Sequence, residues 1–272
     1  MTDPSSPLRI GAVNYLNSKP LIHGFDECAE RLTASNARLG CDLPSRLADS
    51  LAAARYDVAL IPVFEYFLDP TYRLVSDACV ASDGPVSSVK LYFRTPPEKV
   101  RRLALDEGSR TSAALSRVLL ARRCGVRPAV ESLPIGAGLS DSDADAVLLI
   151  GDRAMKQLEP QLSEQFVAEW DLGEEWRRDT GLPFVFAAWV ARAEVDPERV
   201  APLLTACRDT GVASFAEIAA EQAPGLGLRE EHAERYLREN LRFHFGERER
   251  AGLDAFRRAC EETGLLLHPT TT

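Results

Sequence analysis

Several common kinds of reactive centre are absent from this 272-residue sequence. It has no Gly-x-x-x-x-Gly-Lys-Ser/Thr phosphate loop and no Gly-x-Ser-x-Gly nucleophile elbow. Gly136-Ala137-Gly138 lacks the third glycine of a dinucleotide fingerprint, and Gly225-Leu226-Gly227 sits outside any strand–helix unit. ATP, nicotinamide and serine-hydrolase chemistries therefore find no support. The four histidines (His23, His232, His244, His268) lack metal-ligand spacing, and no His-Glu-x-x-His occurs. The six cysteines are scattered without a Cys-x-x-Cys pair, so they read mostly as small buried apolar residues. Neither a cofactor nor a metal is expected.

Charge and hydropathy exclude further classes. The net charge is −9, and no run of Lys and Arg offers a phosphate-backbone footprint, so nucleic acid is not an expected partner. The longest apolar stretch, Phe184–Ala191, falls far short of the roughly 20 residues that cross a bilayer, so no membrane partner is expected. The opening Met-Thr-Asp-Pro-Ser-Ser-Pro has no basic or apolar segment of a secretory signal, which points to a cytoplasmic address. The length fits about two domains or lobes, enough to bury a core without disulfides. Oligomeric state is left open.

What is present is an alternation of short apolar runs and helical periodicities. Leu8–Val13, Val58–Pro62, Ala146–Ile150 and Phe184–Ala191 read as buried strands. Residues 87–94 alternate with Val89, Leu91 and Phe93 on one side, and shorter strands are expected at 37–41 and 102–105. Helices are expected at 21–24, at 44–55 with Pro44 in its first turn, and at 111–124 with Thr111 as cap and Gly125 as stop. Asp152 can cap a helix running towards Leu158. The last 75 or so residues read as helices at 197–210, 229–245 and 247–263, with breaks at 224–227 and Gly246. The order implies α/β lobes with a helical C-terminal region. Trp170, Trp176 and Trp189 sit among apolar residues and read as core.

Four segments share one design: an apolar strand, a polar or glycine-containing turn, then a helix. They are 10–19, 103–112, 148–153 and the turn after Ile61. In open α/β sheets the carboxyl ends of the strands define the ligand crevice, and a helix N-terminus there offers unpaired N–H groups. The turn Asp-Glu-Gly-Ser-Arg-Thr-Ser at 106–112 is thus a candidate anion cradle, with Ser109, Thr111 and Ser112 as donors, unless Thr111 only caps its helix. In Asn14-Tyr15-Leu16-Asn17-Ser18-Lys19-Pro20 the asparagines either satisfy turn backbone or aim an amide, that of Asn17, into a cleft. Lys19 reads as a surface charge. Ser87 and Ser88 open a strand near a possible crossing between lobes, as an ordinary turn or as ligand donors. Asp152 stands between helix cap and ligand contact.

The string Ile-Gly-Ala-Val-Asn-Tyr-Leu-Asn-Ser-Lys-Pro-Leu at 10–21 resembles the opening signature of the chorismate dehydratases, enzymes of the futalosine route of menaquinone biosynthesis. Further likenesses, in the family's order, are Gly-Pro-Val-Ser-Ser-Val-Lys-Leu at 84–91, Leu-Asp-Glu-Gly-Ser-Arg-Thr-Ser-Ala-Ala-Leu at 105–115, Leu-Leu-Ile-Gly-Asp-Arg-Ala at 148–154, and Asp-Leu-Gly-Glu-Glu-Trp followed by Thr-Gly-Leu-Pro-Phe-Val-Phe-Ala-Ala-Trp within 171–189. The resemblance implies a fold like type II periplasmic binding proteins: two α/β lobes with a cleft between them. Residues 1–93 plus 186–272 would form one lobe and 94–185 the other. It implies elimination of water from chorismate to give 3-[(1-carboxyvinyl)oxy]benzoate by a cytoplasmic hydro-lyase. Asn17 would act on the reacting hydroxyl, Ser88, Ser109, Thr111 and Ser112 would bind the two carboxylates, and Gly151 and Asp152 would line the cleft. With no protein base in view, the substrate's own enolpyruvyl carboxylate is the expected proton acceptor. Two other readings remain: the sister enzyme dihydroxynaphthoate synthase, expected to use a histidine base, and a non-catalytic small-anion-binding or sensor protein.

Overall fold

The computed structural model describes residues 7–31, 36–156 and 158–266. The N-terminal segment read for a secretory signal, apart from its last residue Pro7, and His268 lie outside the described residues.

Eleven strands are found among the described residues: β1 (Leu8–Val13), β2 (Ala37–Asp42), β3 (Val58–Pro62), β4 (Arg73–Ser82), β5 (Val89–Phe93), β6 (Arg102–Asp106), β7 (Ala129–Leu133), β8 (Ala146–Ile150), β9 (Ala168–Asp171), β10 (Phe184–Ala191) and β11 (Arg242–His244). They form two sheets, ordered β11-β4-β10-β3-β1-β2 and β7-β6-β8-β5-β9. In the first sheet β1 runs parallel to β2 and β3, while β10 is antiparallel to β3 and β4. In the second, β6 is parallel to β7 and β8, and β5 is antiparallel to β8 and β9. The continuous apolar runs occupy central positions. Every residue of β3 and of β8 is buried, as expected of strands covered on both faces. Trp176 and Trp189 are fully buried, and Trp176 packs edge-on against Phe184 and Phe256. Trp170 is only partly buried, edge-on to Phe93. Among the described residues no helix is long and apolar enough to cross a membrane.

The sequence expectations hold for most central elements and fail in informative places. Val89–Phe93 lies in the second sheet, between β8 and β9. The crossing is set by a turn in which Ser87 takes a left-handed φ of 62°, a strained value for a non-glycine residue. The half-buried Asp171 carboxylate holds that turn, accepting from the backbone N–H of Val86 at 2.9 Å and Ser87 at 2.6 Å. It also caps the helix Leu172–Thr180 through the N–H groups of Gly173 and Glu174. The expected helix 229–245 is instead a helix Glu230–Arg235, a π-helical turn Tyr236–Asn240 and strand β11. Around Phe243 the residues alternate buried and exposed and pair with β4, a period-two signal inside a helix-like composition. The helix Phe215–Leu226 continues through Pro224 and stops at left-handed Gly227, where a break from 224 was expected. Strand β4 had no expectation because Asp77 interrupts its apolar run. Thr205 Oγ1 donates to that carboxylate at 2.8 Å and Arg208 pairs with it at 3.1 Å. Of the six cysteines, all free, Cys28, Cys79, Cys207 and Cys260 are buried as expected, whereas Cys41 on edge strand β2 is exposed.

One close approach fixes where the first strand's exit turn lies. Gly211, in the helix Pro197–Ala213, faces Lys19–Ile22 so tightly that a Cβ there would sit 2.0 Å from the Pro20 carbonyl oxygen. Gly211→Ala is expected to destabilise the fold by about 1–3 kcal/mol through overpacking, seen as a lower urea midpoint at unchanged slope.

Candidate active site

The carboxyl ends of β1, β3, β6 and β8 converge between the sheets, and the turns that follow them line one cleft. Its walls include Val13, Tyr15 and Asn17 after β1, Leu60 and Pro62 of β3, Ser109 and Ser112 after β6, Ile150 and Gly151 after β8, and Val86, Ser88 and Val89 at the crossing. Val80, Phe186 and Ala187 close the apolar floor. The space between the lobes is about 530 Å³ including the part open to solvent, and its walls stand close together. None of the lining residues carries a positive charge.

Five expected site residues thus share one cavity: Asn17, Ser88, Ser109, Ser112 and Gly151. Ser109 is the true cap of the helix Arg110–Leu119, accepting from Ser112 N–H at 3.2 Å. Its hydroxyl also donates to Ser112 Oγ at 2.8 Å, which leaves the Ser112 hydrogen free to point into the cleft. First-turn N–H groups of such a helix have no intrahelical partner, so this end favours an anion. Gly151 sits at φ 70°, a left-handed conformation that favours glycine, with the Tyr15 ring packed about 3.4 Å from where a Cβ would be.

Thr111 and Asp152 do other work. Thr111 does not cap its helix, because the chain enters it two residues earlier, at Ser109. Its Oγ1 accepts from Phe64 N–H at 3.1 Å, on the opposite lobe. Asp152 caps nothing either, since the turn Gly151–Met155 begins at Ile150 without a side-chain cap. Its Oδ1 accepts from Leu16 N–H at 3.2 Å, again across the lobes. Arg110 adds a third bridge, pairing with Asp49 at 2.8 Å and Glu65 at 3.1 Å. Lys19 points away and donates to Asn14 Oδ1 at 2.7 Å.

Two groups were not foreseen from the sequence. Tyr15 reaches from the first lobe over Gly108 and Gly151 of the second. Burial, then the charges of Asp106 and Asp152, push its phenol up to about 12, so it stays neutral. Behind it, buried Asp106 is bonded to Arg153 and accepts from Gly108 N–H at 2.9 Å. Burial outweighs these partners and raises the Asp106 carboxyl above the ordinary range. The second is Tyr236, whose hydroxyl donates to Ser88 Oγ at 2.8 Å.

The family model for menaquinone biosynthesis matches residues 8–262. This chain belongs to the menaquinone-biosynthesis family. A chorismate dehydratase from Thermus thermophilus is 33% identical over 277 residues, covering 97% of each chain. Among solved structures, protein AF1704 from Archaeoglobus fulgidus superposes with a TM-score of 0.76 at 18% identity, covering 97% of this chain and 100% of its own. The periplasmic aliphatic sulphonate binding protein SsuA from Escherichia coli superposes at 0.64 and 15% identity, covering 96% and 89%. The fold of this family member is therefore the two-lobed α/β fold of periplasmic binding proteins, with helices concentrated towards the C-terminus.

The inter-lobe bond of Asp152 has a pH signature. Burial raises its carboxyl above the ordinary value of 3.8, partly offset by Leu16 N–H and by Lys19 and Lys156. A raised acid contributes stability that is complete below its unfolded pKa and is lost as pH rises through the folded one. Asp152→Asn, which keeps the acceptor oxygen, is expected to gain on wild type in melting temperature between about pH 4 and about pH 7. Calorimetry across that range checks the crossover, and parallel curves would show that Asp152 does not titrate with folding.

Proposed function

We propose that this chain is a chorismate dehydratase, a carbon–oxygen hydro-lyase acting early in the futalosine route. The observation that carries the reading is the placement of Asn17 on one lobe against the Ser109–Ser112 helix start on the other, in a chain matching a named chorismate dehydratase over nearly its whole length. Chorismate carries two carboxylates and loses water to become aromatic, so the enzyme mainly has to hold and orient it. The first turn of the helix Arg110–Leu119, with Ser112 and Ser88, supplies neutral donors for the carboxylates. Asn17 orients or polarises the C4 hydroxyl. The C3–H bond breaks towards the substrate's enolpyruvyl carboxylate, its electrons form the new ring double bond, and the C4 oxygen leaves as water. The apolar floor of Leu60, Val80 and Phe186 suits the product ring.

A cytoplasmic address goes with this reading, because six free thiols suit a reducing compartment. The histidine base expected of the sister enzyme is missing from the cleft walls, and His23 faces Glu217 at 3.8 Å. Lobe one is taken as the first sheet with the C-terminal helices, and lobe two as the second sheet, with the turn at Ser87 as one hinge. Substrate enters when the bridges of Thr111, Asp152 and Arg110 part.

Incubating the purified protein with chorismate and chromatographing the mixture is expected to yield 3-[(1-carboxyvinyl)oxy]benzoate. Binding without turnover would make it an anion sensor. Asn17→Ala is expected to lose about 100-fold or more in kcat, and full turnover would remove Asn17 from the scheme. Small-angle scattering is expected to show a smaller radius of gyration with ligand than without, and equal radii would count against lobe closure.

A further inference from the structure

Behind the cleft wall, and not lining it, lies Tyr236. It belongs to the π-helical turn Tyr236–Asn240, an irregular winding that often accompanies functional sites. The whole residue is 1% exposed. Its hydroxyl donates to Ser88 Oγ at 2.8 Å in a buried bond linking two residues 148 positions apart. Burial above all, with the nearby charges of Asp152 and Asp171, keeps the phenol neutral, so its hydroxyl retains a hydrogen to donate.

The direction of the bond has a consequence for Ser88. A serine hydroxyl has one hydrogen and two lone pairs. With one lone pair taken by Tyr236, the hydrogen of Ser88 is left to donate on its cleft side. A phenylalanine would fill the same volume and leave the Ser88 hydroxyl free to rotate.

We infer that Tyr236 is a positioning residue which, through its hydroxyl, fixes Ser88 as a hydrogen-bond donor into the cleft. This rests on the dehydratase reading. Elimination at C4 needs donors around the departing oxygen and the carboxylates, and a Ser88 turned to accept would oppose that charge.

The test uses the full chain and chorismate. Tyr236→Phe is expected to lower kcat ~10–100-fold, as for loss of an oriented donor, while KM moves less than about three-fold. Tyr236→Phe combined with Ser88→Ala is expected to be about as slow as Ser88→Ala alone, because the phenol acts through that hydroxyl. Wild-type kcat in Tyr236→Phe, or losses that multiply in the double variant, would overturn the inference. If Tyr236→Phe fails to fold, a fluorotyrosine at 236 keeps shape and hydroxyl while making the phenol more acidic. As a stronger donor it should then change kcat in the wild-type background and not beside Ser88→Ala, and a change equal in both, or none, would likewise overturn the inference. A wild type that leaves chorismate unchanged fails the dehydratase reading first and removes this inference with it. An active wild type with an indifferent Tyr236→Phe fails the inference alone.

Discussion

The junction held by Asp171 governs how the two lobes meet. One carboxylate accepts four backbone N–H bonds, two from the turn that leaves the first sheet and two from the helix start that follows β9. Those bonds keep Ser87 in a left-handed conformation that its side chain disfavours. With Ser87 so held, the next residue, Ser88, enters the cleft wall and β5 joins the second sheet. Gly173 is part of the same constraint, since a Cβ there would sit 2.5 Å from the Gly84 carbonyl oxygen. Moving this junction would change both the angle between the lobes and the placement of Ser88.

From that junction the site follows a single physical strategy. Its walls are apolar or neutral, and the polar atoms that face inward are hydroxyls, an amide and the start of a helix. Full charges are kept to a second layer, where they are paired: Asp106 with Arg153, and Arg110 with Asp49 and Glu65. A neutral cradle binds carboxylates by donor number and orientation, not by ion pairing. Orientation therefore has to be imposed from behind. Ser109 does this for Ser112, and Tyr236 does it for Ser88.

The lobes are bridged by bonds whose acceptors or cations sit in the second lobe. Thr111, Asp152 and Arg110 each reach first-lobe partners beside the turns that line the cleft. In the proposed reading they couple closure to the strand ends that line the cleft. Burial strengthens such bonds when made and penalises them when half made. That suits a clamp with two states.

Much of this was legible in the chain. Continuous apolar runs such as Val58–Pro62 and Ala146–Ile150 can only be central strands, and the turns after them had to end at the crevice, because strand burial and backbone polarity are local properties of sequence. Asn17, Ser88, Ser109, Ser112 and Gly151 were reached in that way and by the family likeness of their motifs. The partners of polar side chains were not legible. Thr111 and Asp152 look like caps because a cap needs only neighbours in sequence, whereas their actual partners, Phe64 and Leu16, lie 47 and 136 residues away. Strand β4 was hidden because Asp77 breaks its apolar run, and the partners that hold that carboxylate, Thr205 and Arg208, are distant in sequence. Tyr236 gave no signal, since its bond to Ser88 exists only once the C-terminal helices fold back on the crossing. Which residues face a crevice follows from backbone periodicity. Which way their hydrogens point was decided by contacts that only tertiary packing brings together.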